Sequence, residues 1–410
     1  MAESAALLVD DVFPERPVRQ WVLSVPFPLR FLFANQPVVM GQVLGIVYRA
    51  IATYLCHRAG FKAKDARTGA VTLIQRFGSA LNLNIHFHML FLDGAYIQTP
   101  DGKLRFRQVA PPTKDELEVL LYRISRRVAR FLERQGLIER DAENSYLNLD
   151  DLDNDEVGAM PELYGHSITY RIALGPKRGR KVFSLQTLPP QEIQDRHARL
   201  AKAAGFSLHA GVAARADRRD KLERLCRYIS RPAVAEKRLS LTANGQVRYG
   251  LKTPYRDGTT HVIFNPLDFL GRLAALVPRP RVNLTRFHGV FARGGHPPNS
   301  AWRSRVTSAR RGRRVLRAHP DDANRTPAEQ RAAMTWAQRL KRVFNIDISV
   351  CEQCGGTVRV VACIEDPDVI RQILDHMAGV GRQGNLAKPG RGPACAARRS
   401  VICSFNPYLK

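Results

Sequence analysis

The chain has 410 residues, 44% of them hydrophobic, which is enough for two or three domains with real cores and too apolar for wholesale disorder. Lys and Arg number 64 against 37 Asp and Glu, a formal net charge of +27, so a polyanion is the natural partner and nucleic acid the first candidate. No run reaches the roughly 18 uninterrupted apolar residues of a membrane-spanning helix, and the best apolar stretch, near Gly41 to Cys56, is broken by Gln42 and Arg49. Met1-Ala2-Glu3-Ser4 lacks the basic and apolar regions of a secretory signal, and seven cysteines, an odd number, do not suggest an oxidised framework. The expectation is a cytoplasmic protein without a membrane partner.

Val18 to Val25 reads as a first strand, ended by Pro26 and Pro28. An apolar helix spans about Val38 to His57. Val71 to Gln75 is a short β-branched strand, Gly78-Ser79 a turn, and Leu81 to Phe91 the next strand, closed by Asp93-Gly94. This run alternates with a period of two, so Leu81, Leu83, Ile85, Phe87, Met89 and Phe91 form a core face while Asn82, Asn84, His86 and His88 line the other. Two imidazoles two residues apart on one strand converge on a point and can hold a cation. In isolation such a pair is more often two histidines on a half-exposed strand, so the rest of the chain decides.

Thr113 opens a helix with a capping box to Glu116 and a stripe of Leu117, Leu120, Leu121, Ile124, Val128 and Phe131, its arginines facing outward. Residues 139–156 are acidic and polar. Asp151, Asp153, Asp155 and Glu162 are spaced somewhat like a calcium loop, yet Glu156 stands where the sharp-turn glycine belongs and Pro161 spoils the exiting helix; a solvated insertion is expected. Ser167 to Leu174, Val182 to Leu188 and Phe206 to Ala214 supply three more strands, the last carrying His209. A helix follows from about Asp217, with Leu222, Leu225, Cys226 and Ile229 at i, i+3, i+4 and i+7 and Pro232 near its end. Interleaved strands and helices predict an α+β domain over residues 1–277, built on one mostly antiparallel sheet flanked by helices. A basic linker or arm over 278–334 holds seven arginines between Arg303 and Arg317. A small unit over 335–378 follows, and the Gly-, Pro-, Lys- and Arg-rich tail, 379–410, is expected to be disordered.

Tyr228 lies roughly 110° from the centre of its helix's apolar stripe, and Arg224, Arg227 and Arg231 share its polar flank. Such a tyrosine either caps the core edge or, where guanidinium groups clamp an incoming phosphate and favour phenolate, acts as a nucleophile. Cys351-Glu352-Gln353-Cys354-Gly355-Gly356 is half of a zinc ribbon, so Cys351 and Cys354 are candidate zinc ligands. Cys363 and His376 do not stand at the spacing of a standard ribbon, and a relic zinc-knuckle-like unit is the equal alternative.

Two strand histidines, a helix tyrosine 140 residues after His88 and a strongly basic chain resemble the HUH single-strand endonucleases. The segments Val18-Arg19-Gln20-Trp21-Val22-Leu23-Ser24-Val25-Pro26, Asn82-x-Asn84-Ile85-His86-Phe87-His88, Leu225-Cys226-Arg227-Tyr228-Ile229-x-Arg231-Pro232, Leu251-Lys252-Thr253-Pro254-Tyr255-Arg256-Asp257-Gly258 and Trp336-Ala337-Gln338-Arg339-Leu340-Lys341 look like the rolling-circle transposase family of insertion sequence 91 and its common-region relatives. The resemblance runs from near residue 5 to about residue 377.

It implies an HUH-like fold and a metal-dependent nickase and strand transferase acting on single-stranded DNA at transposon ends and target, with no small-molecule substrate, in a bacterial nucleoid-associated setting. His86, His88 and a third polar ligand would hold Mg²⁺ or Mn²⁺, which polarises the scissile phosphate. Tyr228 would attack phosphorus, leaving a 5′-phosphotyrosine and a free 3′-OH, with Arg224, Arg227, Arg231 and Lys252 binding phosphate. The third ligand is Gln75, whose strand can pair directly with the histidine strand, or His209; spacing does not choose. Founding family members carry paired tyrosines four residues apart, whereas Arg224 and Pro232 hold those positions here, as in the single-tyrosine branch. The family begins with a cysteine-rich zinc-binding region and this chain starts about where that ends, so a truncated or internally initiated product with weakened recognition of DNA ends is expected. The rival readings are a rolling-circle replication initiator and a non-catalytic basic nucleic-acid-binding protein. The second does not explain His86, His88 and Tyr228 together.

Overall fold

The ten-residue alternating strand with the two histidines lies in the middle of the main sheet. The computed structural model describes residues 2–140, 145–147, 158–189, 199–292, 297–306, 336–344, 346–350, 355–364, 366, 368–373, 375–376 and 400–404. Two units separate, one essentially Glu3–Leu316 and the other Arg317–Lys410.

In the first unit, α1 (Ala2–Leu7) runs into a π-helical turn, Leu8–Val12, before β1 (Val18–Ser24). Pro26 and Pro28 follow β1, but Pro28 also falls in the first turn of α2 (Phe27–Asn35), where its missing N–H is one of the donors a helix leaves unpaired anyway. The apolar α3 (Pro37–Arg58) is long and apolar enough by composition to cross a membrane. Its Val43, Leu44, Val47, Ile51 and Leu55 are instead buried in the protein core. Then come β2 (Ala66–Arg67), β3 (Gly69–Phe77), β4 (Leu83–Leu92), β5 (Gly94–Gln98), β6 (Leu104–Gln108) and α4 (Lys114–Arg134). The capping box of α4 is present, with the Glu116 N–H donating to Thr113 Oγ1 at 3.2 Å and the Thr113 N–H to Glu116 Oε2 at 2.9 Å.

β7 (Ile138–Arg140) and β8 (Ser145–Leu147) pair as a ribbon; Asp151, Asp153 and Asp155 lie outside the described residues. A strand was expected over Ser167 to Leu174, but α5 (Ala159–Ile168) occupies its start. Met160, Leu163, Tyr164 and Ile168 pack into the core at helical spacing. Pro161 does not spoil this helix, because it sits in the first turn. β9 (Phe183–Gln186), β10 (Leu200–Ala203), β11 (Phe206–Ala214), α6 (Arg219–Ile229), β12 (Leu239–Leu241), β13 (Val247–Gly250), β14 (Thr259–Phe264), α7 (Pro266–Leu276), β15 (Thr285–Gly289) and α8 (Pro297–Val306) complete the unit. A linker was expected from residue 278, yet β15 pairs with β3, and Val290, Phe291 and Val306 are buried in the second core cluster. Arg303 and Arg305 accordingly belong to α8, while residues 307–317 of the expected arm lie outside the described residues.

The main sheet has the order β10-β11-β1-β4-β3-β15, and every neighbouring pair is antiparallel. A second sheet has the order β12-β13-β14-β9. On β4, Leu83, Ile85, Phe87, Met89 and Phe91 pack against α2, α3, α4 and α5 in one core. Leu90 and Leu92, on the opposite face, pack with Leu222, Leu225, Cys226 and Ile229 of α6 in another. The strand begins at Leu83 rather than Leu81. Leu81 has φ +57°, and it is buried with Tyr249, Val262 and Phe264 of the second sheet. Buried Arg19 clamps the end of β4 by a forked pair to Asp93, 2.9 Å through Nε and 2.7 Å through Nη2.

In the second unit the helix Trp336–Phe344 and the parallel strands β16 (Arg359–Ile364) and β17 (Ser400–Ser404) are described. The tail was expected to be disordered, but its Val401 and Ile402 suit a strand, and Ser400–Ser404 is paired. Cys351 and Cys354 lie outside the described residues.

Candidate functional site

Antiparallel register puts Gln75 of β3 directly beside His86 of β4, so both side chains leave the same face of the sheet. His88 leaves that face too, one step along, and the two imidazole centroids are 4.9 Å apart. α6 covers the rest of this face through its apolar stripe and brings Tyr228, 42% exposed, to the histidine end. A cleft of about 440 Å³ results, lined by Gln75, Asn84, His86 and His88 from the first sheet, Tyr228 from α6 and Arg231 just beyond it, and by Tyr249, Lys252 and Tyr255 from the second sheet and its loop.

Each imidazole has a fixed environment. His86 Nδ1 lies 2.8 Å from the Asn84 carbonyl oxygen, which can only accept, so Nδ1 carries the proton and Nε2 keeps its lone pair. His88 Nδ1 lies 2.7 Å from the side-chain nitrogen of buried Gln20, which donates, so in this orientation of the amide Nδ1 accepts and Nε2 carries the proton. With the amide oxygen turned to the ring instead, Nδ1–H would donate and His88 would adopt the same tautomer as His86. Burial holds the His86 pKa below its ordinary value, with Arg30 and Arg231 acting in the same direction. Burial, then His86 and Arg231, pull His88 down to about 3. Both rings are therefore neutral at pH 7, the form in which imidazole ligates a metal.

Gln75, 5% exposed, donates through Nε2 to the carbonyl oxygen of Ile229 at 2.8 Å, so its remaining polar atom is the amide oxygen. His209 also leaves this face of the sheet, but it pairs with Val22 of β1, which in turn pairs with His88. Two strand spacings, about 10 Å, separate the two backbones. His209 does not line the cleft, and its ring lies over Gly211. Among the described residues no group of three or more His, Cys, Asp and Glu side chains could hold a metal ion. The donor set the cleft does offer, two neutral imidazoles and an amide oxygen, fits a divalent ion such as Mn²⁺ or Mg²⁺ that completes its shell with phosphate oxygens and water.

Two cations lie on the Tyr228 ring: Arg231, expected on its flank, and Lys252, expected only to bind phosphate. Arg231 Cζ lies 4.4 Å and Lys252 Nζ 4.6 Å from the ring centroid. Arg224 does not line the cleft, because its Nη2 pairs with Asp220, one turn back on α6, at 2.7 Å. Arg227 does not line it either. Sequence reasoning missed Gln20, the Asn84 carbonyl and Arg238, which lines the cleft with its Cζ 5.0 Å from the Tyr249 ring centroid. The Asn84 carbonyl carries no side-chain signal, but Gln20, the one amide in β1, could have been noticed. Ser79 Oγ donates to Tyr255 Oη at 3.2 Å, which ties the turn before β4 to the Lys252–Tyr255 loop.

Comparison with curated proteins gave no match, and neither did comparison with solved structures. Among protein families, the Y2_Tnp model, described as "Putative transposase", matches residues 69–300, more than half of the chain, from β3 into α8, and covers every residue named as lining the cleft. The chain belongs to this transposase family.

Proposed function

We propose that the chain is an HUH-type transposase that nicks and transfers single-stranded DNA through a covalent tyrosyl intermediate, working in the bacterial cytoplasm on transposon ends and target. The observation that carries this reading is the convergence of His86, His88 and Gln75 from two paired strands with Tyr228 from the helix packed on them. His86 Nε2, His88 Nε2 and the Gln75 oxygen would hold Mg²⁺ or Mn²⁺, which when bound polarises the scissile phosphate. Arg231 and Lys252 draw the DNA phosphate to Tyr228. Tyr228 Oη then bonds to phosphorus and loses its proton, while the bond from phosphorus to the 3′ oxygen breaks and that oxygen leaves as a 3′-OH. The 5′ end stays on the tyrosine until a 3′-OH reverses the step on a new strand. Incubation with single-stranded DNA carrying the element's own ends, with and without Mn²⁺, tests the reading. A metal-dependent covalent adduct mapping to Tyr228 is expected; strand cleavage without any adduct would exclude it.

A further inference from the structure

The outer surface of the helical layer carries a groove of about 570 Å³ between α3 and α4, lined by Ile46, Arg49, Arg127, Arg130, Glu133 and Arg134. The four arginines are exposed, and Glu133 is the one carboxylate on the lining. At 100° per residue, Arg127, Arg130 and Arg134 fall within about 60° of one another, a stripe that rises about 10 Å along α4. Helix packing explains the buried stripe of Leu117, Leu120, Leu121, Ile124, Val128 and Leu132. It requires only that the outward face be polar. Arginines spaced three and four apart repel and cost helix stability, so an anion that binds them gains by relieving that repulsion.

We propose that this groove is a second DNA-binding surface, which grips duplex DNA by its phosphate backbone while a single strand occupies the cleft. The proposal rests on the chain acting on DNA and is independent of how Tyr228 reacts. Guanidinium forks match phosphate oxygens, and at 3.4 Å of axis per phosphate a stripe of about 10 Å faces roughly three phosphates of one strand. The lining has no aromatic ring on which an unpaired base could stack, which favours the duplex over a single strand. Position separates the groove from the cleft. α3 and α4 cover the face of β4 that bears Phe87, while His86 and His88 leave the other. A sheet and a helical layer, each about 10 Å thick, stand between the two sites.

The test compares the full chain with its R127Q/R130Q/R134Q variant, binding a duplex of about 30 base pairs between 50 and 200 mM salt. Losing three contacts at about 0.9 counterion each should flatten the slope of log affinity against log salt by about 2.7, shrinking the affinity loss over that range about 40-fold. Melting temperature and adduct formation on a short single-stranded oligonucleotide should match the parent. A duplex slope equal to the parent's overturns the proposal. So does an equal loss of single-strand binding or nicking, which would put the groove on the path of the reacting strand, and so does a loss seen only with vesicles of anionic phospholipid. If the parent forms no adduct at all, the tyrosyl reading fails while the duplex measurement still decides this one.

Discussion

The two faces of the central sheet hold largely shielded imidazoles in opposite circumstances. On the helix-covered face His288 of β15 lies flat against Tyr48 of α3, ring centroids 4.7 Å apart and planes 17° from parallel. Burial, with Arg286 nearby, lowers its pKa to about 4. On the other face His86 and His88 are held neutral by the same cause, yet Asn84 and Gln20 fix their Nδ1 atoms and a cleft opens beside them. Loss of charge alone makes a packing residue. Loss of charge together with an oriented lone pair at an open cleft makes a candidate ligand.

The sharpest break of that contrast is Tyr228→Phe, which keeps the ring under Arg231 and Lys252 and removes only the oxygen. Covalent adduct should disappear while single-strand affinity stays within a few-fold of the parent; undiminished adduct would move the nucleophile to Tyr249 or Tyr255, which line the same cleft. Next come three neighbours on β4. Phe87→Ala should cost about 3 to 5 kcal/mol in denaturant unfolding, because the ring is fully buried. His88→Ala should cost about 1 to 3 kcal/mol, since it strands the buried Gln20 amide, and part-exposed His86 should cost less. Activity should follow the reverse order, with both histidine variants inactive at a temperature where each is folded. Equal stability losses for all three would mean that the faces do not differ.

A smaller effect separates the two candidates for the third ligand. Gln75→Ala should lose most Mg²⁺-supported nicking and His209→Ala should retain it; the opposite result would move the ion toward β11. The smallest effect lies on the helix-covered face. Because the folded pKa of His288 is lowered, the unfolded chain takes up a proton below about 6.5 that the folded chain refuses until about 4. The stability due to the neutral ring is complete above about 6.5 and declines as pH falls toward 4, by at most about 1.4 kcal/mol per pH unit. His288→Phe should flatten that part of the melting profile and leave nicking intact. Lost nicking would erase the distinction between the faces.

Period-two alternation made β4 and its two faces legible in the sequence, and the i, i+3, i+4, i+7 stripe made α6 legible with Tyr228 at its edge. Local signals failed where a proline was read only as a breaker. Pro28 and Pro161 each sit in a first turn, so α2 is passed over as the end of a strand, and α5 is missed except for its last two residues, which read as the start of a strand. Within the cleft, the pairing of Gln75 with His86 could be anticipated from the short β3–β4 turn. The arrival of Lys252 on Tyr228 could not be, because it depends on how the second sheet packs against the first. Arg224 and Arg231 look alike on a helical wheel. What distinguishes them is Asp220, four residues before Arg224 and able to take it up, a pairing the sequence does display.

The Gln75 amide reaches the carbonyl of Ile229, the residue next to Tyr228. Since the acceptor belongs to the main chain, no side-chain replacement on α6 removes it; only a change on the strand can cut the tether. Control over the gap between the histidines and Tyr228 is therefore one-sided. The helix can vary its surface freely while one amide on β3 keeps its final turn in step with the histidines.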